Sequence, residues 1–264
     1  MPSTALWNWS LFQFQSYLLV LMRVAPVLFF MPVLSSTNLP NLLKIGLTLT
    51  VGLIFLPWVF IDPALLPKDP YSFAFFLVPE LMIGFILALS VKIVMAGIQL
   101  GGQLAGFKMG LYLANVVDPS SEVNAPVVSQ FLYLLTLVLF LAVDGHHWFF
   151  RAVGQSFLLL APGEIHLQPA MYRHFLYLTA NLFVIAIKIS APIVAVLVFT
   201  QIALGILAKA VPQVNILMTS FPITIMLGFL FLGLSLELIF PYCEVLFQEV
   251  GKGLVSTLLP LMRR

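Results

Sequence analysis

The sequence predicts an all-α, polytopic membrane-associated protein with about six long helices arranged as hairpins. The first observation is composition: only 8% of the 264 residues are charged, against roughly a quarter in an ordinary soluble domain, and 61% are hydrophobic. The second observation is distribution. The apolar residues gather in long runs, several of them reaching the roughly 20 residues that a membrane-spanning helix needs.

The same composition excludes several classes of protein. A soluble globular enzyme of this sequence would expose one continuous apolar surface. A disordered chain has the opposite composition, and a basic nucleic-acid binder carries far more positive charge than the net +2 found here. Because Cys243 is the single cysteine, a disulfide scaffold and a cysteine-based metal site are also excluded.

Four apolar helices are predicted in the N-terminal part of the chain. We expect Pro26 and Pro32 to break the first, and the Asp62–Pro63 turn to end the second. The third is too long for one straight span, and the fourth is free of charge throughout. The predicted bounds are about Leu11 to Leu34, Leu42 to Ile61, Tyr71 to beyond Gln99, and Val127 to Val143.

The C-terminal part is predicted as a long, proline-kinked helical hairpin. Its first arm begins near His174 and is divided by Pro192, and a turn follows at residues 209–215. The second arm runs from about Ile216 to Phe240. Between the two parts, the stretch from His147 to Leu160 is too interrupted to span a membrane, and we expect it to lie at an interface or to re-enter.

Five charged side chains fall inside the apolar segments, where facing lipid costs each of them several kcal/mol. Two readings are open: a proton or ion relay, as in a secondary transporter, and polar contacts between helices of one chain or of neighbouring subunits. A relay usually rests on carboxylates or histidines. Because only two of the five are carboxylates, structural contacts are favoured. The five are Arg23, Glu80, Lys92, Lys188 and Glu237.

A run of glycines near the end of the third helix predicts close helix packing or a hinge. Gly97 and Gly101, like Gly102 and Gly106, are spaced four apart, so that a neighbouring backbone can approach one helix face. Glycine also weakens a helix interior by about 1 kcal/mol per residue, which makes bending or unwinding easier. The polar loop at 118–124 follows. Non-helical backbone at membrane depth survives only in protein or beside a cavity, so this loop is a candidate for occluding a passage.

No catalytic motif stands out, so we expect a non-enzymatic protein without cofactor or bound metal. His146 and His147 are adjacent, and on a helix their side chains diverge by about 100°, which suits a single metal poorly. Ser156 follows Gly154 in a Gly-x-Ser pattern that lacks the trailing glycine of a nucleophile elbow. Cys243 is expected to pack as a small apolar residue.

Short motifs also follow one another in a specific order and spacing along nearly the whole chain. They are Arg23 with Ala25-Pro26, Asn38-Leu39-Pro40 through Lys44, Glu80 to Gly84, Ala105 to Gly110 through Asp118-Pro119, Asp144-Gly145-His146, Ser156-Phe157 with Pro162, Ala191-Pro192, Ala210 to Asn215, and Phe221-Pro222. Together they resemble the FliR family, the flagellar biosynthetic proteins of the type III export gate. The related injectisome subunit of virulence secretion systems shares most of this pattern, but Gly145-His146 favours the flagellar branch.

The resemblance implies a core subunit of a protein export gate in the bacterial inner membrane, within the flagellar basal body. Family members co-assemble with FliP and FliQ into a closed helical channel for unfolded export substrates, part of which is raised toward the periplasm. The further partners implied are FlhB, FlhA and membrane lipid, without nucleic acid. The chain is then one unit, with a FliP-like part at residues 1–165 that carries a plug loop and a FliQ-like hairpin at residues 166–264.

In the family, a loop of this subunit plugs the channel. The matching positions in this sequence form the segment that directly follows the run of glycines. They are Gly110, Leu111, Tyr112, Leu113, Ala114, Asn115, Val116, Val117, Asp118, Pro119, Ser120, Ser121, Glu122, Val123 and Asn124. The competing hypothesis is a secondary transporter of a small solute that uses Glu80, Lys92 or Glu237 in coupling.

Overall fold

The structure is a computed structural model that describes residues 2–35, 39–67, 69–111, 127–166, 168–210 and 216–263. These residues are almost entirely helical, and no strand occurs among them, which confirms the predicted all-α class. The long helices are α1 (Pro2–Phe30), α2 (Asn41–Phe55), α3 (Pro70–Met109), α4 (Val127–Ala142), α5 (Gly145–Leu159), α6 (Pro169–Ala210) and α7 (Ile216–Gly253). Two short 3-10 turns, Leu56–Trp58 and Pro63–Leu65, follow α2, and a π-helical segment, Leu254–Leu258, leads into a last turn, Leu259–Leu261.

Within the described part of the chain, five helical segments are long and apolar enough to cross a membrane. They lie in α1, α2, α3, α6 and α7. Helices α4 and α5 meet the same criterion only as a pair, and a bend of 62° separates them. Counted as one broken span they make a sixth, which agrees with the prediction of about six helices. The bend also agrees with the expectation that the stretch at 147–160 does not form a straight span of its own.

The proline positions correct the sequence prediction. Helix α1 continues through Pro26 to Phe30, so the break predicted at Pro26 is wrong. Helix α6 also continues through Pro192, and the kink predicted there stays a prediction. A proline removes one backbone hydrogen bond, whereas ending the helix in an apolar setting would leave several N–H and C=O groups without partners. Continuing the helix is therefore the less costly choice. Pro32 follows the end of α1.

Some helix ends also lie beyond the predicted bounds. Helix α1 begins at Pro2 rather than near Leu11, and α7 continues to Gly253 rather than ending near Phe240. The hydropathy of a segment marks its apolar part only. A helical backbone needs no apolar side chains to continue into polar flanking residues, because its hydrogen bonds are internal.

The chain divides into two compact units that interleave along the sequence. One unit comprises Met1–Lys92, Asp144–Leu176 and Phe247–Arg264, and the other comprises Ile93–Val143 and Tyr177–Leu246. We call them the first and the second unit. The division predicted at residue 165 follows the sequence rather than this interleaving and stays a prediction.

In the first unit, α1 supplies much of the buried apolar surface. Leu19 and Val20 are fully buried, and Leu19 packs with Ile61, Leu66 and Phe73, so that the turns after α2 and the start of α3 close over α1. Helix α2 packs closely against α1 at Gly52, where an added Cβ would lie 3.3 Å from the Tyr17 ring. The Tyr17 hydroxyl donates a hydrogen bond to the Leu49 carbonyl at 3.0 Å.

In the second unit, the buried side of α6 is an apolar stripe of helical spacing. Ile185, Ile189, Ile193 and Leu197 recur every fourth residue and are at most 1% exposed. The end of α3 and helix α4 belong to the same unit, with Leu132 and Phe140 of α4 buried. This unit is held together by apolar packing, with hydroxyl groups as its buried polar side chains among the described residues.

Candidate functional site

An ion pair between α1 and α3 lies at the centre of the first unit. The Arg23 guanidinium donates through Nε to Glu80 Oε2 at 2.5 Å and through Nη2 to Glu80 Oε1 at 3.0 Å. Both side chains are completely buried. A bidentate pair of this kind fixes the direction of both side chains as well as their separation.

Two further groups complete the hydrogen bonding of this pair. The third guanidinium nitrogen, Arg23 Nη1, donates to the Ser156 hydroxyl in α5 at 3.2 Å, and the backbone N–H of Gly163 donates to Glu80 Oε1 at 2.8 Å. The Phe157 ring covers the guanidinium, with its centroid 4.1 Å from Cζ. The charges are therefore paired, hydrogen-bonded and shielded from solvent, as buried charges need to be.

Two glycines make this arrangement possible. A Cβ on Gly84 would collide with the Arg23 carbonyl oxygen, so α1 and α3 approach closely only because Gly84 has no side chain. Gly163 has a φ of +80°, and a Cβ there would overlap the Phe76 ring of α3. Substituting either residue would displace a group that contacts the ion pair. We call Arg23, Glu80, Ser156, Phe157 and Gly163 the ion-pair cluster.

The second region is the glycine-lined face of α3. Cβ atoms on Gly97 and Gly101 would lie 3.0 Å from the carbonyl oxygens of Leu182 and Ala186 in α6. A Cβ on Gly102 would lie 2.6 Å from the Ser129 Cα in α4. On Gly106 the nearest atom would be Val128 Cβ, at 3.6 Å. Gly97 and Gly101 thus face α6, and Gly102 and Gly106 face α4. We call these four glycines the glycine seam.

Helix α3 continues unbroken through the seam to Met109, and the hinge predicted for these glycines stays a prediction. It then ends in a Schellman motif at Gly110, whose φ is +85°. The Gly110 N–H donates to the Phe107 carbonyl at 3.1 Å, and the Leu111 N–H donates to the Gly106 carbonyl at 3.3 Å. The backbone groups at the end of the helix are therefore satisfied locally.

Helix α7 contacts this helix end directly. The Thr224 hydroxyl lies 3.1 Å from the Met109 carbonyl oxygen, in hydrogen-bonding geometry, and 3.0 Å from the Ser220 carbonyl oxygen of its own helix. A Cβ on Gly228 would lie 2.5 Å from Met109 Cγ, so α7 also approaches the Met109 side chain closely. These contacts with α7 fix the position of the C-terminal end of α3. The predicted plug begins here: Gly110 and Leu111 are described, whereas its other positions, 112–124, lie outside the described residues.

Comparison with known proteins identifies the family. A model of the bacterial export proteins, family 1, matches residues 14–250. The flagellar biosynthetic protein FliR of Pectobacterium carotovorum subsp. carotovorum is 33% identical over 90% of this chain and 91% of its own length. The FliR protein of Escherichia coli (strain K12) is 31% identical over 93% and 94%, and that of Bacillus subtilis (strain 168) is 29% identical over 86% and 88%. The chain belongs to the FliR family of bacterial export proteins.

The resemblance drawn from the sequence motifs is therefore confirmed. The part of the chain that matches the export-protein family includes both the ion-pair cluster and the glycine seam. Sequence reasoning singled out Arg23 and Glu80 but missed the role of Gly163 and Gly84. The signal for Gly84 was present, because it lies four residues after Glu80 and therefore on the same helix face.

The other three predicted polar residues of this FliR-family chain are exposed, in contrast to the ion pair. Lys92 Nζ lies 4.7 Å from the centroid of the Phe30 ring, and Lys188 Nζ lies 5.2 Å from that of Tyr242. Glu237 is exposed and forms no ion pair with another described residue. Of the five, the structure thus brings only Arg23 and Glu80 together.

Asp144, His146 and His147 form a small cluster at the bend between α4 and α5. Asp144 adopts a left-handed conformation with φ 56°, and its Oδ1 lies 3.3 Å from His147 Nδ1. The two imidazole centroids are 4.2 Å apart, closer than the divergence argument indicated. One ligand atom from each side chain lies within 4.8 Å of the others, so together they could hold a metal ion. The predicted absence of a metal stays a prediction.

Proposed function

We propose that this chain is a non-enzymatic core subunit of the flagellar type III protein export gate. The relatives described above are named flagellar biosynthetic proteins, and the match covers about nine tenths of both chains. The described residues add long apolar helices, as expected for a subunit of a bacterial inner-membrane complex. In this role the chain conducts unfolded flagellar proteins as part of an assembly, with FlhB and FlhA as further partners.

The proposal includes co-assembly with FliP and FliQ. It is supported by the exposed charges on the apolar hairpin of α6 and α7, because Lys188 and Glu237 would each cost about 2.5–3.5 kcal/mol at the centre of a lipid-facing helix. Contact with polar groups of neighbouring subunits removes this cost. Exposed apolar side chains beside them, such as Ile187 and Leu238, supply the apolar part of such a contact.

The proposal also includes a plug formed by residues 110–124. The observation that carries it is the end of α3: the seam, the Schellman motif and the Thr224 contact hold Gly110, the first residue of the predicted plug, in place. A segment that closes a channel needs a fixed anchor, since otherwise its position varies with every fluctuation of the helix end.

A deletion of residues 112–122 tests the plug. We expect the variant to assemble with co-expressed FliP and FliQ, while the reconstituted assembly leaks ions that the unchanged assembly retains. A same-length replacement of residues 112–122 by glycine and serine is the control that separates shortening of the loop from loss of its side chains. An assembly of normal mass that stays impermeable in both variants would contradict the plug.

The transporter alternative has less support. Both carboxylate oxygens of Glu80 accept hydrogen bonds from Arg23, and Oε1 accepts one from Gly163 as well, so the group is occupied as a structural acceptor. Substitution of Glu80 or Glu237 by glutamine should therefore impair assembly rather than a solute cycle. A pH-dependent uptake of a small solute that either variant abolishes would favour the transporter.

A further inference from the structure

The first unit contains a second feature that the proposed function does not use. A cavity of about 600 Å³ lies among the turns after α2, the end of α5 with the turn that follows it, and the C-terminal end of the chain. This volume falls in the range of small-molecule sites, roughly 300–1,000 Å³. Its polar lining includes Asp62, Glu164, His166 and Arg263, and its apolar lining includes Phe60 and Leu158.

Backbone and side-chain hydrogen bonds hold the walls of the cavity. The His166 N–H donates to the Met262 carbonyl at 3.1 Å, and Gln168 Nε2 donates to the Arg263 carbonyl at 2.6 Å, so the C-terminal end is fixed to the turn after α5. In the turn after α2, Asp62 Oδ1 accepts from the Ala64 N–H at 2.9 Å and thereby caps the 3-10 turn. The cavity is a built feature of the fold rather than a gap between loose segments.

The surroundings of the cavity are those expected at the ends of membrane-spanning helices. The cavity lies beside the turns that follow α2 and beside the segment that joins the end of α5 to the start of α6. The side chain of Phe60 is fully exposed, and those of Trp58 and Leu158 are each about four-fifths exposed. Exposed aromatic side chains at the ends of apolar helices are typical of the level of the lipid headgroups.

The charges in the cavity are of both signs. Among the described residues that line it, Asp62 and Glu164 contribute two carboxylates, and Arg263 contributes a guanidinium. Within the described part of the chain, the Glu164 carboxylate and the Arg263 guanidinium form no ion pair with each other or with another side chain. The guanidinium would attract an anionic headgroup, but the two carboxylates would repel it. A headgroup that carries a phosphate and an ammonium matches both signs.

We propose that this cavity binds the headgroup of a phosphatidylethanolamine. Arg263 would contact the phosphate, because guanidinium groups match phosphate oxygens in geometry and charge. Asp62 and Glu164 would accept hydrogen bonds from the ethanolammonium group, which offers three N–H donors as a lysine does. Phe60 and Leu158 would contact the first carbons of the acyl chains. A choline headgroup fits less well, because its quaternary nitrogen has no hydrogen to donate.

Native mass spectrometry of the full chain in detergent tests this assignment, with phosphatidylethanolamine, phosphatidylcholine and phosphatidylglycerol of identical acyl chains added separately. We expect one ethanolamine lipid to bind about tenfold more tightly than the other two, because only its ammonium group can donate hydrogen bonds to the two carboxylates. Equal binding of all three lipids, or a preference for phosphatidylglycerol, would overturn the proposal.

Matched variants connect the binding to these residues. Asp62→Asn with Glu164→Gln should reduce the affinity for the ethanolamine lipid about tenfold, to the level of the choline lipid, while the asparagine oxygen still caps the turn. Asp69→Asn with Glu249→Gln is the control, since Asp69 caps the start of α3 in the same way and neither residue lines the cavity. If the control pair lowers the ethanolamine preference equally, the cavity is not the site.

A third substitution covers the case in which the double variant does not fold. Arg263→Gln removes the phosphate contact that all three lipids share, so it should lower the affinity for the ethanolamine lipid severalfold. Arg173 is an exposed arginine outside the cavity, and Arg173→Gln should leave this affinity unchanged. Unchanged ethanolamine binding in the Arg263 variant would also contradict the proposal.

Discussion

The ion-pair cluster and the glycine seam hold helices together by opposite means. In the cluster, Arg23 and Glu80 join α1 and α3 through buried charges whose hydrogen bonds are satisfied by α5 and the turn after it. In the seam, Gly97, Gly101 and Gly102 join α3 to α6 and α4 by leaving out side chains. Both occur in a chain whose apolar side chains gain little hydrophobic free energy by contacting a neighbouring helix instead of lipid.

This difference teaches how specificity arises in a chain with so little polar surface. Where the hydrophobic effect gives no preference between helix and lipid, a buried polar pair selects one partner by chemistry, and a glycine face selects one by shape. The two devices differ in sensitivity. In the cluster, removing the charge of one partner leaves the other charge uncompensated. In the seam, adding a side chain forces the helices apart.

The largest expected effect comes from breaking the ion pair on one side. Glu80→Gln leaves the Arg23 charge buried without its counter-ion, so we expect a loss of about 3–5 kcal/mol in folding stability. Thermal unfolding of the detergent-solubilised chain measures this loss. Glu237→Gln is the matched control, since Glu237 is exposed, and it should change the unfolding temperature of the isolated chain little.

A double variant sharpens the same point. Replacing both charges, with Arg23→Met and Glu80→Leu, should recover most of the stability that Glu80→Gln loses, because no charge is then left unpaired. If the double variant is as unstable as Glu80→Gln, the cost lies in packing around the two side chains and the electrostatic account of the cluster is wrong.

The next effect comes from adding one methyl group to the seam. Gly102→Ala places a Cβ 2.6 Å from Ser129 Cα, so α3 and α4 have to move apart, and we expect a loss of about 1–3 kcal/mol. Gly205→Ala and Gly233→Ala are the controls, because apart from the adjoining backbone of the same helix no atom lies within 4 Å of either added Cβ. These two should raise stability by about 0.5–1 kcal/mol through the better helix propensity of alanine.

The unfolding temperatures of the three alanine variants decide between two descriptions of the glycines. Opposite signs for the seam and the control positions support packing by shape. If Gly102→Ala stabilises the chain as the controls do, the seam is not under steric restraint and the close approach of α4 is not required for folding.

Much of the fold follows from the sequence, and the exceptions have physical reasons. The fourth helix was predicted at Val127 to Val143 and is found at Val127–Ala142, because its apolar run is continuous. The predicted break at Pro26 was wrong, because local proline rules do not include the cost of exposing backbone groups in an apolar setting.

The candidate site was predictable in part. Arg23 and Glu80 stand out in the sequence because charges are rare in apolar runs, yet hydropathy does not say which charge meets which. Gly163 contributes a backbone N–H to the cluster, and no side-chain pattern predicts that role. The seam was easier to predict, since its spacing of four is visible in the sequence, but the partner of each glycine depends on the fold.

The smallest of the three effects concerns the end of the seam. Thr224→Val removes the hydroxyl that lies 3.1 Å from the Met109 carbonyl while keeping the side-chain volume, and we expect a loss of about 0.5–1.5 kcal/mol. Thr200→Val is the control, because its hydroxyl bonds only within its own helix, to the Val196 carbonyl. Equal losses in the thermal unfolding of both variants would show that α7 does not stabilise the end of α3.

The central claim is that this chain works as one subunit of a larger export gate. Native mass measurement of the chain purified with co-expressed FliP and FliQ tests it most directly. We expect a single complex that contains this chain together with FliP and FliQ. If the co-expressed FliP and FliQ purify as a complex from which this chain is absent, the proposed role is wrong.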